Sequence, residues 1–314
     1  MEDTRMERKS LRELVSKKQI FAPTIWDVMS AKCAEASGFE ATMLSGGLIS
    51  NNCATLDIGL ITADDLVRIT ENICRASNLP CCVDSDNGYG ATALHAYNTT
   101  RRLVKAGAMS LTLDDTTGTR GYNRFSQQLR GGVPFGQIEH AVVPRDTFLA
   151  KIRAGLDACV GSDCMVIART EAALQYGLDE AIERCVRAEE LGAEMTVIIG
   201  LRNMEDAEYV AKYVKGWKMW PDVMAPGGIP DVELRDIEKL GFNYVTAHCM
   251  TKGSNYAMRT AAHGFVSAKN TIAIDNYNLG LAEKEKKVFT CPDFDNLLYK
   301  KEEEYWKNLK HPLS

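Results

Sequence analysis

A closed (β/α)8 barrel of the TIM type is the fold this sequence predicts, and three observations carry the expectation. A helical stretch, a glycine and an apolar strand recur as one phrase, at Ser37-Gly38-Phe39, Ala106-Gly107-Ala108, Leu191-Gly192-Ala193 and Leu240-Gly241-Phe242. Glycine suits the left-handed position that ends a helix before a strand begins. Strand patterns alternate with helical ones, which implies parallel pairing through crossovers. Eight such units fit between about Ile20 and Phe265 of a 314-residue chain, the usual size of one barrel with additions. An open doubly wound sheet is the competing arrangement.

Taken in order, the first residues, Met1 to Lys18, are dense in charge and lack the apolar stretch of a secretory leader. Strands are expected at Ile20–Ala22, Ala41–Leu44, Cys81–Asp84, around Leu111, at Met165–Arg169, around Val197, at Asp222–Met224 and around Val245. The barrel domain is placed at residues 1–270 and a helical extension at 271–314. Beyond Asp275 the rhythm stops, and Pro292 precedes a charged helix over 294–307. Leu297, Leu298, Tyr305 and Trp306 give that helix an apolar side too large to leave in water, so it should pack on its own barrel or on a neighbour's.

Composition bounds the partners. With 45% hydrophobic and 25% charged residues the chain can bury a sizeable core, which excludes a disordered or fibrous protein. Lys+Arg 37 against Asp+Glu 42 gives −5, and without a basic run there is no electrostatic footprint for nucleic acid. Nowhere do 18 apolar residues run together, so no membrane span is expected and the chain reads as cytoplasmic. The 10 cysteines include no CxxC pair and no zinc-finger spacing, so most are read as small hydrophobes in a reducing compartment.

Chemistry concentrates at strand ends. Cys81-Cys82-Val83-Asp84-Ser85-Asp86-Asn87-Gly88-Tyr89-Gly90 ends an apolar strand in two carboxylates at i and i+2, which strand geometry puts on one face. At the carboxyl end of a barrel strand that face looks into the mouth where active sites form. Two such charges about 4 Å apart repel by roughly 4 kcal/mol at an effective dielectric near 20, so the pair needs a cation, a shared proton or much water. Oxygen ligands favour Mg²⁺ or Mn²⁺ over zinc. A solvated Asp-rich turn opened by Asn-Gly is the plain alternative. The next strand repeats the design, with Ser110, Thr112 and Asp114 on one side, and adjacent strands lie about 4.8 Å apart, so Asp114 could reach the same cation.

Other candidates are weaker alone. Gly88-Tyr89-Gly90-Ala91-Thr92-Ala93 fits the GxGxxA dinucleotide pattern, but Asp84 and Asp86 in front of it would repel a pyrophosphate. Ser45-Gly46-Gly47 closes a strand, either as an ordinary turn or as a set of backbone N–H groups able to meet an anion. Arg169 ends a buried strand, where its guanidinium implies an anionic ligand, Glu171 or a barrel aspartate. Asp57 alone reads as a helix cap or turn. His248 follows Tyr244–Ala247, where a barrel strand empties into the mouth, and is taken as a substrate contact; no GxSxG elbow supports a serine nucleophile.

In order along the chain, Ser45-Gly46-Gly47, Asp57-Ile58-Gly59, the Asp84–Gly90 run, Asp114-Asp115 and Ala168-Arg169-Thr170-Glu171-Ala172 resemble the isocitrate lyase/phosphoenolpyruvate mutase superfamily over about residues 15–265. The resemblance implies a barrel that binds Mg²⁺, with Mn²⁺ as the alternative, and handles 2-oxo or enol acids through an enolate-like intermediate. It implies Asp84 as the direct metal ligand, with Asp86, Asp57 and Asp114 acting mostly through water. By the same likeness Ser45, Gly46, Gly47 and Arg169 hold a pyruvate-like group, and Asp57 and Arg169 belong to the catalytic set. A homotetramer with exchanged C-terminal helices is also implied.

Departures from the family pattern shape the expected function. Family lyases carry Lys-Arg-Cys-Gly-His on the loop after the fourth strand, with the cysteine as acid, whereas residues 116–130 here hold no cysteine. Family mutases and phosphonopyruvate hydrolases place a lysine directly after the Glu-Asp pair and an Asn-Ser farther on; here stand Thr116 and Asn123-Arg124. Asp114 replaces the customary glutamate, and Ile199-Gly200 stands where lyases have a carboxylate. The expectation is a Mg²⁺-dependent carbon–carbon lyase or decarboxylase for a small 2-oxo or 2-hydroxy dicarboxylic acid. The alternatives are P–C bond chemistry of the mutase or hydrolase type, and a non-catalytic 2-oxo acid binder. Arg120, Tyr122 and Arg124 are candidate substrate contacts on the loop.

Overall fold

The computed structural model describes residues 9–57, 59–117, 142–225, 229–272, 275–276, 280 and 292–307. Most of the 116–130 loop, including Arg120, Tyr122, Asn123 and Arg124, lies outside the described residues. Among those described, eight strands close in chain order into a parallel barrel: β1 (Ile20–Ile25), β2 (Thr42–Leu44), β3 (Cys81–Asp84), β4 (Ser110–Asp114), β5 (Met165–Thr170), β6 (Met195–Ile198), β7 (Trp217–Trp220) and β8 (Phe242–Ala247). Ile20 pairs with Tyr244 where the first strand meets the last.

The helices are α1 (Leu11–Lys17), α2 (Val28–Ala36), α3 (Gly46–Asn52), α4 (Ala63–Ala76), α5 (Ala93–Ala106), α6 (Arg145–Cys159), α7 (Ala172–Tyr176), α8 (Leu178–Glu190), α9 (Met204–Tyr213), α10 (Leu234–Lys239), α11 (Cys249–Ala268) and α12 (Pro292–Lys307). Local chemistry starts them. Thr62 and Asp65 form a capping box on α4, and Asp27 with Ser30 does the same on α2, satisfying N–H groups that the first helical turn leaves open. The glycines of the recurring phrase end them: Gly38, Gly107, Gly192 and Gly241 have φ of +86°, +99°, +110° and +84°, a region closed to most side chains.

Alternation along each strand builds two apolar layers. Ile20, Met43, Cys82, Met165, Ile167, Met195, Met219 and Tyr244 fill the barrel interior, joined by Leu11, Leu14 and Val15 of α1 at its amino end. The opposite parity, including Leu44, Cys81, Val83, Leu111, Leu113, Val166 and Ala168, packs against the surrounding helices. The lower interior is therefore largely apolar, with Ser110 beside Cys82 and the Tyr244 hydroxyl as polar groups, and the charged interior residues stand at the carboxyl rim.

Two expectations need correction. The seventh strand is Trp217–Trp220, not Asp222–Met224. Lys218 at its centre is 4% exposed and reads as a break in the apolar pattern; its Nζ donates to the carbonyls of Val214 at 3.1 Å and Gly216 at 2.9 Å, which lets the strand stay buried. Residues 222–224 run on beyond it, Val223 N–H bonding the carbonyl of Thr246 at 2.9 Å. Ser45-Gly46-Gly47 is a helix start rather than a turn, Ser45 capping α3 with its hydroxyl.

The C-terminal helix forms as α12, two residues longer at its start than expected. Tyr305 and Trp306 on it are exposed, and none of the residues of α11 is buried. The side chains of Leu297 and Leu298 lie outside those described. Among the described residues no helix is long and apolar enough to cross a membrane.

Candidate active site

The interior parity that carries methionine and isoleucine at the base of the barrel carries polar side chains at the rim. One step above Cys82 stands Asp84, and one step above Ile167 stands Arg169; Thr112 of β4 is the partner of Asp84 in the ladder between β3 and β4. Above them opens a cavity of about 420 Å³ whose lining includes Ser45, Gly47, Asp57, Asp84, Thr112, Arg169 and His248. Its walls differ. Ser45, Asp57, Asp84, Thr112 and Arg169 give it polar and charged lining, whereas Val197 of β6, Ile199 just after it, Met219 and Pro221 around β7, and Met43 and Leu48 contribute apolar surface.

Arg169 bridges two carboxylates. Its Nη1 donates to Asp84 Oδ1 at 2.9 Å and its Nη2 to Glu171 Oε1 at 2.8 Å. Thr112 Oγ1 also donates to Asp84 Oδ1, at 3.0 Å. Thus the barrel aspartate and Glu171, both open as partners in the sequence, are engaged together, and all three ionic groups are at least largely buried. Charge-assisted bonds of this kind hold a strand-end carboxylate in one orientation.

The other Asp84 oxygen faces α3. A Cβ placed on Gly46 would sit 3.7 Å from Asp84 Oδ2, 3.7 Å from Asp86 Oδ2 and 3.8 Å from Asp86 Oδ1, so both carboxylates converge on the space that this glycine leaves open. A Cβ on Gly47 would lie 3.0 Å from Asp57 Oδ2. Asp86 reaches its place through a left-handed backbone, φ +46°, and its carbonyl accepts the Asp114 N–H at 2.8 Å.

This donor set is all oxygen and suits a hard divalent cation. Among the described residues no three His, Cys, Asp or Glu side chains surround one point. A cation here would therefore take Asp84, with Asp86 beside it, and complete its shell with water, the habit of Mg²⁺. Asp114 is fully buried rather than on the cavity wall, and its Oδ1 accepts from Thr116 N–H at 2.9 Å and Thr116 Oγ1 at 2.7 Å.

Its neighbour Asp115 ties β4 to the next units, accepting from Glu171 N–H at 2.9 Å and Arg184 Nη1 at 3.1 Å; burial pushes its carboxyl up to about 6. The Tyr89 hydroxyl is buried without a hydrogen-bond partner among the described residues, and burial followed by Asp86, Asp84, Asp57 and Asp114 pushes it up, so it keeps its proton. On the far side of the mouth, Asp222 Oδ1 lies 3.0 Å from His248 Nδ1 and accepts the His248 backbone N–H at 3.3 Å.

Six sequence candidates share the cavity wall: Ser45, Gly47, Asp57, Asp84, Arg169 and His248. Gly46 and Asp86 adjoin them through Asp84, while Asp114 stands off the wall. Thr112 and Asp222 line or adjoin the site without having been named as candidates, and Glu171 entered only as a partner of Arg169. Alternation from Asp114 placed Thr112 on the inner face, so that signal was present; Asp222 was hidden by the misplaced seventh strand.

Comparison with known proteins bears on the family and the fold. A family model described as Phosphoenolpyruvate phosphomutase matches residues 11–266. The 2,3-dimethylmalate lyase of Eubacterium barkeri is 28% identical over 235 residues, 74% of this chain and 76% of that protein. An oxaloacetate decarboxylase of Rhodopseudomonas palustris is 30% identical over 285 residues, 90% of this chain and 91% of that one. The crystal structure of a 2,3-dimethylmalate lyase superposes with a TM-score of 0.73 at 24% identity, over 94% of this chain and 97% of that one, a likeness of fold.

Proposed function

The chain belongs to the phosphoenolpyruvate phosphomutase family, within the isocitrate lyase/PEP mutase superfamily, and from that premise we propose that it is a Mg²⁺-dependent carbon–carbon lyase or decarboxylase. Its substrate is a small 2-oxo or 2-hydroxy dicarboxylic acid. The observation that carries this reading is the single cavity on which Ser45, Gly47, Asp57, Asp84 and Arg169 meet at the carboxyl ends of β2, β3 and β5. Relatives named as oxaloacetate decarboxylase and 2,3-dimethylmalate lyase support the reaction class.

Asp84 would hold the cation directly, and Asp86 and Asp57 would act on it through water, with Asp114 buried off the cavity wall. Bound there, a divalent cation supplies Lewis acidity toward a 2-oxo group and counter-charge for its oxygen. The chain's own groups do the rest. Ser45 Oγ and the first-turn N–H groups of Gly46 and Gly47, which have no acceptor within α3, hold the substrate carboxylate and oxygen. Arg169, fixed by Glu171, keeps Asp84 oriented and adds positive charge beside the developing oxyanion. His248 contacts the substrate from the opposite rim; with Nδ1 turned to Asp222, its Nε2 is left for the cavity.

Loss of CO2 from an oxaloacetate-like acid leaves the electron pair on the three-carbon fragment as an enolate, and water supplies the proton. This route tolerates a loop without the lyase cysteine. The apolar lining of Val197, Ile199 and Met219, which begins on β6 next to Arg169, suits carbon substituents.

The same reading includes a homotetramer with exchanged C-terminal helices, because Tyr256, Met258, Phe265 and Val266 leave α11 with a broad exposed apolar surface. Sedimentation equilibrium should return four chain masses, and a monomer would reject it. The function is tested by incubating protein and Mg²⁺ with oxaloacetate, 2-methylisocitrate, 2,3-dimethylmalate, phosphonopyruvate and phosphoenolpyruvate. Pyruvate released from the carbon acids alone supports the proposal. A new phosphorus resonance would replace it with P–C chemistry, and ligand binding without turnover with a non-catalytic binder.

A further inference from the structure

The buried stripe of α6 is Phe148, Lys151, Ile152, Gly155 and Cys159, and one member is a lysine. Lys151 is 1% exposed. Burying an ammonium is costly unless its donors and charge are matched, yet among the described residues it makes no ion pair. Its Nζ instead donates to two carbonyls, Asn87 at 2.9 Å and Gly90 at 2.8 Å. Burial pushes its pKa down, while the charge of Asp114 pushes it back.

Those carbonyls bracket the turn that follows Asp86. Asp86, Gly88 and Tyr89 have φ of +46°, +82° and +57°, so two side-chain-bearing residues sit in the left-handed region, each at a cost of roughly 1–2 kcal/mol. Such a turn persists only if its surroundings hold it. Thr99 Oγ1 donates to the Gly88 carbonyl at 3.0 Å and Asn87 Nδ2 to the Thr116 carbonyl at 3.2 Å. Lys151 adds a third tie, gathering both ends of the turn onto a single atom.

We propose that Lys151 is a positioning residue: its ammonium ties the Asn87–Gly90 turn closed, so that Asp86 keeps its carboxylate beside Asp84 and facing Gly46, ready to share a divalent cation. The inference rests on the cation reading above. Partners that orient metal ligands in this way typically contribute about 10–100-fold to affinity.

The test is Mn²⁺ binding to the metal-free protein, followed by electron paramagnetic resonance well below each variant's melting temperature. Lys151→Met should raise the Mn²⁺ Kd at least about tenfold. In an Asp86→Asn background the same change should shift Kd less than about threefold, because the lysine acts through Asp86. Lys151→Gln, which keeps an amide donor, is read by the same criteria and replaces Lys151→Met if that protein does not fold. A Kd unchanged by Lys151 substitution, or a loss fully retained in the Asp86→Asn background, overturns the proposal. Wild-type protein that binds no Mn²⁺ overturns the cation reading itself, which separates the two failures.

Discussion

Gly46→Ala is the sharpest test of where the cation sits. The added methyl would lie 3.7 Å from Asp84 Oδ2, 3.7 Å from Asp86 Oδ2 and 3.8 Å from Asp86 Oδ1, all ordinary van der Waals separations. Gly46 is the first residue of α3 and is not in the left-handed region, so alanine meets no backbone strain. Replacing a helical glycine should stabilise the fold by about 0.5–1 kcal/mol, raising the melting temperature by roughly 2 °C. The cation site fares differently. Mg²⁺ binds oxygen at about 2.0–2.1 Å and keeps much of its octahedron as water. A methyl equally near both carboxylates stands where those waters belong and offers them no hydrogen bond. Activity should fall at least about 100-fold in kcat/KM, equivalent to roughly 2.7 kcal/mol, with a higher Mg²⁺ requirement. The assay couples pyruvate release from oxaloacetate to NADH oxidation across a Mg²⁺ series, with calorimetric melting alongside. A variant that melts as expected and turns over within about threefold of wild type, at the same Mg²⁺ requirement, would refute the placement. Gly47→Ala serves as the contrast, since its methyl meets Asp57 Oδ2 at 3.0 Å and must push that carboxylate aside by a few tenths of an ångström, so its effect on activity should run through Asp57 rather than through Asp84 and Asp86.

Asp84→Ala should abolish Mg²⁺-dependent turnover while circular dichroism stays that of the folded barrel, because Arg169 retains Glu171; undiminished turnover would reject Asp84 as the ligand. Arg169→Lys should lower kcat/KM by about 100-fold, since an ammonium cannot span Asp84 and Glu171 as the guanidinium fork does; steady-state kinetics decide it, and an active lysine variant would count against the bridging role. Glu180 is held below the usual carboxylate range first by its hydrogen bond to Arg145, against burial, and then by Arg184. Its folded pKa is depressed, so the stabilisation, roughly 1 kcal/mol for a partly exposed pair, is present above the unfolded value and lost as pH falls through the folded one. Urea unfolding of wild type and Glu180→Gln should therefore differ at pH 7 and converge as the pH falls through the depressed folded value; a gap that persists below it would reject the assignment.

The barrel was legible because its punctuation is local. A glycine that must take φ near +90° marks a helix end whatever lies around it, and the four glycines of the recurring phrase do so. The aspartates were legible for a similar reason: strand alternation alone puts Asp84, Thr112 and Asp114 on the inner face. Asp57 was opaque because its meaning is a tertiary contact, the 3.0 Å approach of its carboxylate to the Cβ position of Gly47. Asp222 was misread because its place depends on where the seventh strand stops, and that strand, expected at Asp222–Met224, ends at Trp220.

Lys151 and Lys218 share one device. A lysine is ordinarily read as a solvent-facing residue, yet both are nearly inaccessible here, and in each the ammonium ends on two main-chain carbonyls. The physical basis is the side chain itself, an apolar stem long enough to cross a packed layer, tipped with three donors and no acceptor. A strand end or a strained turn offers acceptors of just that kind, carbonyls with no ladder partner. Lysine on an otherwise apolar stripe, as between Phe148 and Ile152, is therefore a signal that a loop across the layer needs its carbonyls gathered. On α6 that loop is the one following Asp86, so a helix that lends no residue to the cavity wall is tied to the turn beside the site.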